Sequence, residues 1–110
     1  MTNFIKLENV IKQSMVSICY RNLDIDNIEN DVDMAFTVIQ YSFPEFECIE
    51  DTVTRRCAKS EIYEIVQQAQ EMKKVNGNYK GVLEMIEQSI TASSVMEDII
   101  NMNSEDEEAE

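Results

Sequence analysis

The chain has 110 residues, 22 acidic against 9 basic, giving a formal net charge of −13, and 44% of it is apolar. That length supports one domain and the apolar fraction is that of a globular protein, while the shortage of bases excludes a basic groove for gripping nucleic acid directly. With no histidine, catalytic triads, Cys-His dyads and His-ligated zinc fall away together, and 2 Gly with 1 Pro give too little punctuation for a many-stranded sheet or a phosphate-cradling loop.

The remaining expectation is an all-α fold: a single small domain of four to five helices over residues 1–103, followed by a disordered acidic tail over 104–110. From Asn3 to Tyr20, Phe4, Leu7, Val10, Ile11, Ser14, Met15, Ile18 and Cys19 recur at three-and-four spacing and predict a first amphipathic helix. A second carries the stripe Ile28, Val32, Ala35, Phe36, Ile39 and Phe43, with Asp26 as N-cap and Glu29 three residues on as a capping box. Pro44 stops it, because the residue before a proline is pushed from helical angles. The segment Glu45–Asp51 reads as irregular or as a single turn. Asp51 or Thr52 caps the next stretch, with Val53 and Cys57 on its apolar side; Ser60 is a possible restart before Ile62, Ile65, Val66, Ala69 and Met72, so one helix or two remain open. Lys73 and Lys74 suit its last turn and Asn76-Gly77 its left-handed exit. Asn78 is expected to cap a fourth helix with Val82, Leu83, Met85, Ile86 and Ile90 as its apolar face. Ser93 or Ser94 then caps a last one with Val95, Met96, Ile99, Ile100 and Met102.

Charge is segregated along the chain. Residues 1–21 carry three bases and one acid, residues 22–51 nine acids and no base, residues 52–81 six bases and three acids, and residues 82–110 nine acids and no base. Blocks of one sign project a field that attracts a basic surface and speeds encounter with it. Helix dipoles explain acids in a first turn, which covers Asp24, Asp26, Glu29 and Asp31. They do not explain Asp33, four residues after Glu29 and repelled by it, nor Glu45, Glu47, Glu50 and Asp51. These nine residues are the candidate partner-binding surface. By the same reasoning, removing the Asp33 charge should stabilise the helix by a few tenths of a kcal/mol.

Other chemistry is set aside on specific residues. A calcium loop starting at Asp24 fails at Ile28, at Glu29 where a glycine is needed, and at Ala35. No metal, cofactor or catalytic group is expected. Arg55, Arg56 and Lys59, the one compact basic cluster, are read as pairing with Asp51, Glu61 or the acidic helix. Three cysteines, Cys19, Cys48 and Cys57, lack disulfide or metal spacing, and Cys19 and Cys57 are read as packing residues. Without a leader-like N-terminus or a long apolar run, the expectation is a soluble intracellular protein with no membrane partner.

Phe43-Pro44 resembles two residues of the Met-Phe-Pro turn in small three-helix ubiquitin-binding modules; Ser42 replaces the methionine and the downstream di-leucine is missing, so that function is not carried over. In composition the chain resembles the DNA-mimicking inhibitors made by phages, being small, acidic and histidine-free, without a shared motif. The expected function is therefore non-enzymatic: an acidic helical module, in the manner of a DNA mimic, that binds and inhibits or chaperones a basic, nucleic-acid-binding protein. The alternative is a structural subunit or homo-oligomer held by apolar helix faces, with the charge serving solubility.

Overall fold

Apolar residues spaced by three and four give each helix one stripe to bury, and the chain folds so that these stripes meet. A computed structural model of the chain describes residues 2–101, in the order α1 (Thr2–Arg21), α2 (Ile28–Ser42), a 3-10 turn (Glu47–Ile49), α3 (Thr52–Asn76), α4 (Val82–Ala92) and α5 (Ser94–Asn101). The result is an all-α small domain of five α-helices, with no strand among the described residues. The expected burial of Phe4, Ile100 and Met102 and the expected tail at 104–110 lie outside the described residues and side chains.

Helix α1 touches all four other helices and presents Leu7, Ile11, Met15, Ile18 and Cys19 to the core. Helix α2 packs on α1 and α3 through Ile28, Val32, Phe36 and Ile39, and Phe36 has no exposed surface. Its exit at Phe43-Pro44 folds back, so that Phe43 and Phe46 meet edge to face at 6.1 Å and Ile49 is buried beneath the 3-10 turn. The acidic connector is therefore an alternation of buried apolar and exposed acidic residues.

Helix α3 is one continuous helix of 25 residues. Asp51 caps it by accepting from the Thr54 N–H at 2.9 Å and from the Thr54 hydroxyl at 2.9 Å. No glycine or proline follows until Gly77, whose left-handed φ of 75° closes the helix through its N–H to the Lys73 carbonyl at 2.8 Å. Ser60 is exposed in mid-helix and restarts nothing. The buried stripe is Thr54, Ala58, Ile62, Ile65, Val66 and Ala69, which turns Val53 and Cys57 out to solvent. The packing role expected for Cys57 is thus corrected: small Thr54 and Ala58 face the core one position on, where the helix approaches its neighbours. Cys19 does pack, and burial pushes its thiol up to about 12.

Two further caps differ from expectation. Asn78 builds a turn, accepting from the Lys80 N–H at 2.9 Å, and Gly81 at φ 80° is the N-cap of α4. Asp26 does not cap α2; Asn27 occupies that position without a side-chain hydrogen bond. Ser93 caps α5 through its hydroxyl and the Met96 N–H at 3.2 Å. On α4, Val82, Ile86 and Ile90 are buried while Leu83 is exposed. Among the described residues, no helix is long and apolar enough to cross a membrane.

Candidate functional site

The nine candidate acids divide into those that hold the fold and those left to solvent. Asp31 belongs to the first group. It accepts from the Asn22 amide at 2.9 Å, stands 3.9 Å from Arg21, and its side chain is only 10% exposed. Asn22, itself fully buried, also donates to the Ile18 carbonyl at 2.9 Å and accepts from the Asn27 N–H at 2.8 Å. It thus joins the end of α1 to the start of α2, replacing the capping box that Asp26 and Glu29 were expected to form. No local pattern marks Asn22 in the sequence, and its role comes from a contact nine residues away.

Asp33 also faces inward, toward α3. Its carboxylate lies 3.5 Å from Arg55 and 3.1 Å from Lys59. Arg55 further donates to the Ile49 carbonyl at 2.8 Å and the Asp33 carbonyl at 3.3 Å, with its guanidinium 5.9 Å from the Phe36 ring centre. The expected pairing of the basic cluster with the acidic helix is present for Arg55 and Lys59. Relief of the Glu29–Asp33 repulsion is therefore internal, and the argument that Asp33 awaits an external cation falls.

Asp24 sits in the α1–α2 loop and ties it to the end of α3 and the turn beyond. Lys73 donates to Asp24 at 2.6 Å and to the Tyr79 hydroxyl at 2.6 Å, and Tyr79 donates to Asp24. The hydrogen bond from Lys73, then that from Tyr79, lowers the Asp24 carboxyl below its ordinary range, and the same contacts raise Lys73. Asp51 is lowered by the Thr54 backbone N–H and then by the Thr54 hydroxyl.

Asp26, Glu29, Glu47 and Glu50 remain exposed, with no hydrogen bond or ion pair to their carboxylates among the described residues. Glu45 is exposed and engaged locally. The free carboxylates form two groups, at opposite ends of a helix of 15 residues, which is about 22 Å long at 1.5 Å per residue. The nine acids are thus not one patch.

Between the two groups, the solvent face of α2 carries an apolar stripe that the sequence reading missed. Met34, Val38 and Tyr41 are 60%, 65% and 90% exposed, on the side opposite Val32, Phe36 and Ile39. Its signal was available at spacings of four and three, but the stronger stripe on the same helix masked it. Met34 and Val38 also line a groove between α1 and α2 that reaches Ile18 and Ile39. A second groove, of about 680 Å³, runs between α1 and α4, lined by Val16, Tyr20, Leu83 and Ile90 with Lys12 and Arg21 at its rim. Among the described residues no group of three His, Cys, Asp or Glu is placed to hold a metal.

No family model, curated protein or solved structure matches the chain, so its own residues carry the functional argument.

Proposed function

We propose that the chain is a non-enzymatic docking protein that binds a basic, nucleic-acid-binding partner and inhibits or chaperones it by occupying the surface phosphates would contact. The observation that carries this reading is the pair of uncompensated carboxylate groups at the two ends of α2, Asp26 with Glu29 and Glu47 with Glu50, in a chain of net charge −13. Carboxylates that the fold does not use cost it little to keep in water, and their summed field accelerates encounter with a cationic surface. Asp31 and Asp33 leave the proposed surface because the fold uses them, as do Asp24 and Asp51.

The test uses the basic partner captured from the host on the immobilised chain and then purified. Neutralising Asp26→Asn, Glu29→Gln, Glu47→Gln and Glu50→Gln together should slow association by about tenfold or more at low salt and flatten its salt dependence. The melting temperature should hold, since none of the four makes an internal contact. Association that is equally fast in the variant and indifferent to salt favours the apolar subunit reading instead.

A further inference from the structure

A helix that packs on two neighbours normally turns polar residues to water, yet the outermost line of α2 is apolar. At 100° per residue, Met34, Val38 and Tyr41 fall within about 60° of one another. They form a stripe about 10 Å long. Exposed apolar residues scattered singly are ordinary, but a contiguous line of them marks a contact surface. Each end of this line meets free carboxylates. Tyr41 shares a cleft with Glu47 and Glu50, and Asp26 and Glu29 stand at the start of the helix. Arg55 reaches the same cleft but is committed to Asp33 and the Ile49 carbonyl.

A second copy of the chain fits this surface poorly. Laid parallel, α2 on α2 sets Asp26 and Glu29 against themselves; laid antiparallel, it sets them against Glu47 and Glu50. Either arrangement brings acids onto acids, and like charges juxtaposed across an interface are strongly unfavourable. The opposite charge pattern removes that conflict. We infer that the outer face of α2 seats an amphipathic basic helix of the partner, its apolar side on Met34, Val38 and Tyr41 and its lysines or arginines at both ends on Asp26 with Glu29 and on Glu47 with Glu50. This rests on the docking function proposed above and specifies the segment that docks. To span both acidic groups the seated helix needs about four turns, with apolar residues at i, i+4 and i+7 in its middle. The end charges set how fast it arrives, and the apolar centre sets how long it stays.

Two synthetic helical peptides of identical composition test this. One has an apolar stripe of three residues at i, i+4 and i+7 with lysines at both ends, and the other has the same residues scrambled so that no stripe forms. The patterned peptide should bind at least tenfold more tightly than the scrambled one, and the difference should survive added salt that weakens both. Replacing Met34→Gln, Val38→Gln and Tyr41→Gln should abolish that difference at an unchanged melting temperature, and the single Tyr41→Lys should reduce it. Amide shifts on adding the patterned peptide should concentrate on the solvent face of α2. Equal binding of the two peptides, or an unaltered preference in the glutamine variant, overturns the inference while leaving electrostatic docking standing. Shifts confined to the α1–α4 groove overturn it as well. A concentration-dependent dimer that the glutamine variant abolishes assigns the face to a second copy and overturns it too. If neither peptide binds at low salt, the docking function itself fails.

Discussion

Asn22 has no exposed surface, and its amide serves three polar groups: the Ile18 carbonyl, the Asn27 N–H and the Asp31 carboxylate. Asn22→Ala leaves these groups short of a partner near a closed helix junction, which should cost about 2–3 kcal/mol, measured by chemical denaturation. Asp33 carries the opposite lesson about sign. Read along the helix, it is a repulsive neighbour of Glu29, yet in three dimensions it is the shared anion of Arg55 and Lys59. Asp33→Asn should therefore lower stability by about 0.5 kcal/mol, as expected for a half-exposed ion pair, and the loss should shrink in high salt. Both features were illegible in the sequence because their partners lie 9 to 26 residues away. Asp51 was legible, because a cap is a local device whose acceptor and donor are three residues apart.

At the scale of the element, α3 gives the clearest test. Ser60 lies in the interior of a helix of 25 residues, so Ser60→Pro should remove a main-chain hydrogen bond and cost about 3 kcal/mol or more, lowering both helicity and melting temperature by circular dichroism. Had Ser60 begun a separate helix, proline there would be tolerated. Helix existence was readable throughout because the three-and-four spacing of core residues such as Leu7, Ile11, Met15 and Ile18 is strong. Register was less so. Val53 and Cys57 look like core beside Thr54 and Ala58, and only the close approach of neighbouring elements selects the smaller pair. Cap identity failed where backbone geometry outranked side-chain chemistry: Gly81, with its positive φ, starts α4 although Asn78 has the better capping side chain.

Over the whole molecule, the contacts of Asp24 with Lys73 and Tyr79 close the α1–α2 loop onto the end of α3, and they make stability depend on pH at both extremes. Asp24 is lowered from 3.8, so its contribution is held above that value and lost as pH falls through its lower folded value. Lys73 is raised from 10.5, so its contribution is held below that value and lost as pH rises through its higher folded value. The melting temperatures of the wild type and Asp24→Asn should differ most between about pH 5 and 9. They should converge below about pH 3 and again above about pH 11. Reading the difference between the two proteins cancels the general relief of self-repulsion as the other carboxylates protonate.

The contacts of α1 with every other helix also bear on how the chain is made. Synthesised first, α1 offers Leu7, Ile11, Met15 and Ile18 to partners that do not yet exist, and among them Ile86, Ile90, Met96 and Ile99 emerge last. Closure of the core is thus deferred almost to the end of translation, as for any topology whose first element pairs with its last. During that interval the nine acids of residues 22–51 are already in place, so nascent chains on neighbouring ribosomes repel one another while their apolar faces are still bare.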